Sequence, residues 1–275
     1  MNALRLDQIK GLIPSIVIAP ADYTTTDGWV NPSFTCTSNE TTNTDKINAL
    51  VDKLHTSGGG IVHLLAGTIK ITNTSGVSGQ GCLKIYDNIH YEGNGQGLTT
   101  LKIVNNTGFN TAAFRVGDPT THFTARNWSI SNLKIDGDQA SNAADTTTTI
   151  KGIIYGADHS VTDYQAGLIE DVTITGCKSG AFCGEGRTDN VIIKDCEAVD
   201  CGVQSSAQSA DFAYAFSNKH GSGITYQNCW AVRCSGAFYE EGYTFGSRFD
   251  DIKAVSCGNG LTGSGKGLYQ IRGAT

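Results

Sequence analysis

The sequence predicts an all-β protein, a single-stranded right-handed parallel β-helix (a solenoid) with an N-terminal capping α-helix. Similar segments recur at intervals of about one coil, apolar residues alternate within them, and an Asp or Asn holds the same place in each. Four segments end at Cys177, Cys201, Cys234 and Cys257 and read VTITGC, CEAVDC, CWAVRC and IKAVSC. Their spacings of 24, 33 and 23 residues are typical of one coil of such a solenoid, with a longer loop in the middle one.

Apolar residues recur at fixed distances before each cysteine. They stand eight residues before it (Ile169, Ile193, Tyr226, Phe249), five before (Val172, Cys196, Cys229, Ile252) and three before (Ile174, Ala198, Ala231, Ala254). Period-two alternation predicts strands with one buried face. The alternation changes phase at Asp171, Asp195, Asn228 and Asp251, whose short side chains suit a tight turn. Residues 128–135 fit the same template one coil earlier.

The chain has nine cysteines, an odd number. Because several of them repeat in register, the sequence favours a column of reduced, buried thiols over a disulfide framework. Cys196 and Cys201, like Cys229 and Cys234, are five residues apart and lack the spacing of a zinc or redox motif. No metal and no other cofactor is therefore expected.

An amphipathic pattern precedes the first repeats. Ile47, Leu50, Val51 and Leu54 have helical spacing, which predicts a capping helix over 45–55 that begins after Thr44. Such a helix would cover the sheet edge that a solenoid leaves open. Residues 1–35 lie outside the repeat and are either an anchoring segment or a strap along the helix, and residues 36–275 form the β-helix domain.

The overall charge and hydropathy exclude several classes of function. With 20 basic and 26 acidic residues the net charge is −6, which argues against nucleic acid and mildly against a strongly anionic ligand, unless a local basic patch overrules it. No segment approaches the ~20 apolar residues of a membrane span. The N-terminal residues do not read as a secretory signal. Either a signal has been removed or the protein leaves its cell by lysis or assembly, and the initial Met favours the second alternative.

Candidate site residues come from a second repeat, in which SGAFCGEG at 179–186 returns as SGAFYEEG at 235–242. Alternation points Glu185 and Glu241 outward on one face, about 9–10 Å apart across two coils. That separation is near the upper limit for the carboxyl pair of an inverting glycosidase, and Asp211 lies in the coil between. The predicted catalytic residues are therefore Glu185, Glu241 and Asp211.

Arg187, Trp230, Tyr239 and Tyr243 are the predicted ligand-binding residues, since an exposed aromatic ring can stack on the apolar face of a sugar. Two alternatives stay open. Outward Glu, Arg and Tyr side chains are also expected on any soluble β-helix, and Trp230 could pack under the loop after Cys201 or against a neighbouring subunit.

Residues 40–265 resemble the pectate-lyase-like β-helix superfamily, through the helix, residues 58–68, GNGQGLTTL at 93–101 and NLKIDG at 132–137. Members include polysaccharide lyases, glycosidases, sugar epimerases and bacteriophage tail spikes. Residues 152–202 are similar to the catalytic region of alginate epimerases, but Cys183, Gly184 and Glu185 stand where that family has Asp-Pro-His. Epimerase activity is therefore not expected. The calcium-binding aspartates of pectate lyases and the paired aspartates of polygalacturonases do not occur either.

The resemblance implies a virion-associated tail spike or tail appendage that contacts host surface polysaccharide, with or without glycan cleavage. Its expected partners are two further copies in a homotrimer, other tail proteins bound through the N-terminal segment, and the polysaccharide. The expected location is the virion tail, or otherwise outside the cell. The alternatives are a free polysaccharide lyase or glycosidase and a purely structural β-helix in a larger assembly, so enzymatic activity is left open.

Overall fold

The computed structural model describes residues 13–24, 32–76, 80–104, 110–116, 125–138, 149–156, 166–185, 189–202, 214–219, 223–242, 245–265 and 268–272. These residues form one α-helix, α1 (Glu40–Thr56), and 22 β-strands. The strands are β1 (Ser15–Ala19), β2 (Phe34–Thr35), β3 (Gly60–Leu64), β4 (Gly67–Ile71), β5 (Gly81–Ile85), β6 (Ile89–Glu92), β7 (Thr99–Ile103), β8 (Thr111–Val116), β9 (Trp128–Asp136), β10 (Ile150–Tyr155), β11 (Gly167–Thr175), β12 (Phe182–Gly184), β13 (Val191–Lys194), β14 (Glu197–Val199), β15 (Tyr214–Lys219), β16 (Thr225–Gln227), β17 (Trp230–Val232), β18 (Gly236–Gly242), β19 (Phe245–Asp250), β20 (Lys253–Val255), β21 (Asn259–Gly265) and β22 (Leu268–Arg272).

The strands stack into three faces, and the pairs within each face are parallel. Face 1 has the order β2-β1-β3-β6-β9-β11-β13-β16-β19-β22, and face 2 the order β4-β7-β9-β11-β14-β17-β20. Face 3 is a separate seven-stranded sheet with the order β5-β8-β10-β12-β15-β18-β21. The chain visits faces 1, 2 and 3 in turn, and the long strands β9 and β11 contribute to both face 1 and face 2. This is the predicted parallel β-helix.

The bend between faces 1 and 2 is made by the predicted Asp and Asn residues. Asn132, Asp171, Asp195, Asn228 and Asp251 all have φ between 50° and 58°, the left-handed region in which Asn and Asp are favoured among non-glycine residues. A second left-handed column, Gly176, Asp200, Arg233 and Ser256, directly precedes the four cysteines. The chain therefore turns at the same two places in each successive coil.

The predicted apolar columns line the interior. The column of Ile169, Ile193, Tyr226 and Phe249 is at most 1% exposed, and Val172, Cys196, Cys229 and Ile252 are buried beside it. On face 3 the rings of Phe182, Phe216 and Phe238 stack with centroids 4.7 and 4.9 Å apart. Offset aromatic stacking of this kind adds to the free energy gained by burial.

The helix α1 begins five residues earlier than the sequence predicts. Asn39 is its N-cap, with Oδ1 accepting from the Thr42 amide at 2.8 Å, so the prediction of Thr44 as the cap is wrong. The Thr44 hydroxyl instead accepts from the Thr72 amide at 3.0 Å, just beyond β4. Asn43 donates to the Lys70 carbonyl of β4 at 3.1 Å. The predicted start of the helix is too late because the prediction assigns Thr44 as the N-cap. The Thr44 hydroxyl bonds to the sheet and does not cap its own helix.

The same helix bonds to strand β5, whose other neighbour is β8. Asn48 donates to the Cys82 carbonyl at 2.8 Å and accepts from the Lys84 amide at 3.0 Å. One amide side chain thus forms hydrogen bonds with two backbone groups of β5 that could otherwise pair with another strand. That the helix closes this end of the solenoid stays a prediction.

Part of the segment over residues 1–35 is paired into face 1. Strand β1 runs parallel to β3, with Ser15 opposite Ile61 and Ile18 opposite Leu64, and β2 pairs with β1. Residues 13–24 and 32–35 are described, and an anchoring role for the remainder of this segment falls outside the described residues.

Substitution Asn48→Ala is expected to lower the free energy of unfolding by about 1–2 kcal/mol, because it leaves one carbonyl and one amide of β5 without a protein partner. Urea denaturation followed by circular dichroism measures the change. Lys46→Ala, on the exposed side of α1, is the matched control and should alter the value by about 0.5 kcal/mol or less. Equal effects of the two substitutions would contradict this account of the helix–sheet contact.

Candidate functional site

The strands of face 3 place a small and a large residue side by side in the interior. Ala181 and Phe182, Ala215 and Phe216, and Ala237 and Phe238 are all at most 2% exposed and belong to the core. Gly152 holds the small position in β10, where an added Cβ would lie 2.5 Å from Ile174 Cδ1. The residues that flank each pair therefore point away from the core.

The outward positions of three successive coils bring two cations and a carboxylate together. Arg115 follows Phe114 in β8, Lys151 lies near the start of β10, and Glu185 directly follows β12. The Glu185 amide donates to the Tyr155 carbonyl at 2.9 Å, which extends the strand ladder by one residue and positions the Glu185 backbone.

Lys151, Arg115 and Glu185 form one ionic cluster. Lys151 Nζ pairs directly with Glu185 Oε1, and Arg115 Nη1 lies 3.6 Å from Glu185 Oε2. The side chains of Arg115 and Lys151 are only 11% and 6% exposed, whereas that of Glu185 is 23% exposed. Taken alone, these three groups sum to one formal positive charge, within a chain of net charge −6.

Buried apolar residues separate the charged ones on this outer side. Ala112, Ile154 and Cys183 form a small cluster of their own, distinct from the main core, and are at most 3% exposed. In the register of face 3, Ile154 lies between Arg115 and Cys183. A partly desolvated setting strengthens ionic contacts relative to those in bulk water.

A polar network supports face 3 from the inside. Tyr155 donates to the Ser217 carbonyl at 3.2 Å, and its hydroxyl lies 3.5 Å from that of Tyr226. Burial raises the pKa of both tyrosines well above the usual value, so both phenols stay protonated. Gly184 leaves room for this arrangement, because a Cβ there would lie 2.9 Å from Tyr155 Cε2 and from Asn218 Oδ1.

The network continues to a buried carboxylate. Asn218 Nδ2 and Ser247 Oγ both donate to Glu240 Oε2 at 3.1 Å, and Glu240 is 2% exposed. Because Ser247 belongs to β19 on face 1, these bonds join face 3 to face 1.

The predicted catalytic residues are only partly described. Glu185 is directed to Lys151 and Arg115, in the two preceding coils. Glu241 is opposite Lys219 in the backbone register of β15 and β18, and its side chain lies outside the described residues. Asp211 also lies outside them. The proposed pairing of Glu185 with Glu241 or Asp211 therefore stays a prediction.

The predicted ligand-binding residues fall on different faces. Trp230 is on face 2, 42% exposed, with Lys253 Nζ 4.7 Å from its ring centroid. Tyr239 is on face 3 but only 6% exposed, because its ring stacks on Tyr214 at 4.6 Å. Arg187 and Tyr243 lie outside the described residues.

The sequence reasoning missed Arg115 and Lys151. Both were detectable as single cations within otherwise apolar strands, TAAFRV and IKGIIY. They were overlooked because these coils precede the first cysteine anchor and their register was not assigned.

Among the residues described, no group of three or more His, Cys, Asp or Glu side chains is arranged to hold a metal ion. Within the same ranges, no helix is long and apolar enough to cross a membrane.

Comparison with known proteins relates the sequence to polysaccharide-acting enzymes. The chain is 30% identical over 190 residues to mannuronan C5-epimerase AlgE1 of Azotobacter vinelandii, a match that covers 67% of this chain and 12% of that protein. It is 29% identical over 192 residues to alginate lyase 7 of the same organism, a match that covers 69% of this chain and 21% of that protein. The chain thus spans about an eighth to a fifth of these two relatives. No family model matches the sequence.

Solved structures share the fold at low identity. The rhamnogalacturonan lyase structure superposes with a TM-score of 0.54 at 14% identity, covering 95% of this chain and 62% of that one. The A-module of the Azotobacter vinelandii epimerase AlgE6 gives 0.51 at 17% identity, covering 84% and 71%. The pre-mature gene product 12 of bacteriophage phi29 gives 0.51 at 17% identity, covering 82% and 32%. These likenesses identify the right-handed parallel β-helix fold.

Proposed function

We propose that this chain, a right-handed parallel β-helix with the fold of the pectate-lyase-like superfamily, binds an anionic polysaccharide on the outer side of face 3. The observation that carries the proposal is the cluster of Arg115, Lys151 and Glu185. Arg and Lys are the side chains that bind carboxylate groups through charge-assisted hydrogen bonds, and a uronate polymer carries such groups along its length. The relatives named for mannuronan and alginate, which are such polymers, support this class of ligand.

The geometry of the cluster also suits a repeating ligand. Its three residues come from successive coils, which are about 4.7–4.9 Å apart along the solenoid axis. A polysaccharide lying along that axis would present its substituents to several coils at once. Glu185 would hold Lys151 and Arg115 in fixed positions relative to such a ligand.

Affinity for alginate provides the test, with dextran as a neutral comparison. Alginate should bind and dextran should not, and the affinity should fall as salt is added, because salt screens the attraction between the charged polymer and the cations of the protein. Lys151→Met should weaken alginate binding tenfold or more, which corresponds to about 1.4 kcal/mol for a charge-assisted contact.

Two variants control this measurement. Lys70→Met removes an exposed lysine from face 2 and should leave the affinity unchanged. Lys151→Arg keeps the charge and should keep most of the affinity for alginate. Equal affinity of the Lys151→Met variant and the unaltered protein, or equal binding of dextran, would overturn the proposal.

A second candidate function is chemistry on the bound polysaccharide, which the 29% identity to alginate lyase 7 favours. Glu185 is the residue of the cluster able to exchange a proton. Neighbouring cations favour the ionised carboxylate, which is the form that a general base needs and a general acid does not. A role as general base therefore fits the geometry better than the role of general acid in a glycosidase.

If the chain cleaves alginate, Glu185→Gln should lower turnover by about a hundredfold or more, the usual contribution of a positioned acid or base. Release of unsaturated uronate, followed by ultraviolet absorbance, measures it. Glu197→Gln on face 2 serves as the control and should keep full activity. Retained turnover in the Glu185→Gln variant would remove Glu185 from the catalytic assignment without affecting the binding proposal.

The proposed setting for this binding is a homotrimeric tail appendage of a virion. The fold shared with phi29 gene product 12 is compatible with that setting. Exposed apolar side chains on faces 1 and 2 of the later coils, Ile192, Trp230 and Val255, offer a surface on which copies of the chain could associate.

Light scattering on the purified chain decides the oligomeric state. We expect a mass three times that of the single chain at micromolar concentration, unchanged on tenfold dilution. A single-chain mass under these conditions would contradict the homotrimer and leave the polysaccharide-binding proposal standing.

A further inference from the structure

A column of four thiols runs along the end of face 2, formed by Cys177, Cys201, Cys234 and Cys257 in successive coils. The residue after each of the later three cysteines donates its amide to the carbonyl of the preceding cysteine in the column, at 2.9, 3.1 and 3.1 Å. The cysteines are therefore in parallel register, one strand spacing of about 4.7–4.9 Å apart. That spacing lies within the 4.4–6.8 Å Cα separation that disulfides span.

The side chains of the later three cysteines also point in one direction. Sγ of Cys201, Cys234 and Cys257 lies 3.7, 3.5 and 3.4 Å from a carbonyl oxygen of the coil before, those of Ile174, Ala198 and Ala231. The Sγ atoms of Cys234 and Cys257 therefore lie on the same side of neighbouring coils.

The four cysteines of the column differ in their exposure to solvent. Cys177, Cys201 and Cys234 are at most 3% exposed, whereas Cys257 is partly exposed. A buried thiol is inert because reagents cannot reach it and because burial disfavours the reactive thiolate. Cys257 is therefore the point at which the column can react first.

We propose that Cys257 and Cys234 are a modification site, at which a small-molecule disulfide oxidant such as oxidised glutathione converts the two thiols into a disulfide between adjacent coils. The Cys257 thiolate attacks the oxidant, forms a mixed disulfide and releases one thiolate. The Cys234 thiol then passes its proton to the released thiolate, attacks Sγ of Cys257 and releases the second. Two cysteine thiols are oxidised, one small disulfide is reduced to two thiols, and the protons remain with the released thiols.

A second cysteine column provides an internal contrast. Cys196 and Cys229 are also one coil apart, with the Trp230 amide donating to the Cys196 carbonyl at 2.9 Å. Both are at most 2% exposed, and Val172 and Ile252 flank them in the same column. With the same spacing and no exposed member, this pair should stay reduced in the folded protein.

The experiment uses the full chain, fully reduced and then exposed in its folded state to oxidised glutathione. The oxidant is then removed, the protein is unfolded in denaturant that contains the alkylating agent, and it is digested and analysed by mass spectrometry. We expect two of the nine thiols to be lost and the peptides of Cys234 and Cys257 to be linked. The thermal midpoint should rise by several degrees, because the link closes a loop of more than 20 residues in the unfolded chain.

Two variants sharpen the result. Cys257→Ser should keep all its thiols and its original thermal midpoint, whereas Cys229→Ser should still form the link. Nine alkylated thiols after oxidation, a link between two chains, or a Cys196–Cys229 link would overturn the proposal. Because the mapping is made on the unaltered protein, a variant that fails to fold does not prevent the decision.

Discussion

Each coil lies on the one before it through parallel backbone hydrogen bonds in strict register, and the rest of the structure depends on this stacking. A coil can continue the ladder only if its chain turns where the coil below turned. This requirement explains why left-handed residues recur at Asp171, Asp195, Asn228 and Asp251, and again before each cysteine. Left-handed backbone is disfavoured for residues other than glycine. The hydrogen bonds between stacked coils must therefore offset this conformational cost at each turn.

Side chains at the turns supply part of that offset. Asn228 donates to Asp195 at 2.7 Å across one coil boundary. Arg233, an unusual residue for a left-handed position, bonds through two nitrogens to Asp200, each at 2.7 Å. The guanidinium lowers the pKa of the Asp200 carboxyl by hydrogen bonding to its ionised form. The pair is exposed, so its value is chiefly to position the two turns.

The same register creates the ionic cluster on face 3. Arg115, Lys151 and Glu185 are each separated by about one coil of sequence and meet only because the coils are stacked. Leaving a nearly buried cation unpaired is costly, which explains why Glu185 follows β12 at the place where both cations can reach it. A chain with an excess of acidic residues can thus bring two cations together on one face, because stacking places residues that are distant in sequence side by side.

The coils with a cysteine anchor were predictable down to single residues, since Ile169, Ile193, Tyr226 and Phe249 are buried as their spacing requires. Two features were not. The inward pair on each strand of face 3, such as Ala181 and Phe182, breaks simple alternation, so the outward positions of the earlier coils could not be counted from the sequence. The burial of Tyr239 depends on Tyr214, 25 positions earlier, across a loop whose length varies from coil to coil.

The stacked architecture also separates the ionic cluster on face 3 from the pair of Cys234 and Cys257. In a solenoid each repeat contacts only its neighbours, so a change in stability spreads over the adjacent coils and little further. The ionic cluster belongs to the coils that end in β8, β10 and β12, whereas Cys234 and Cys257 follow β17 and β20. Between them lies the coil of β13, β14 and β15, bonded on both sides. Oxidation at the later coils can therefore strengthen that end of the protein while the charged face keeps its geometry.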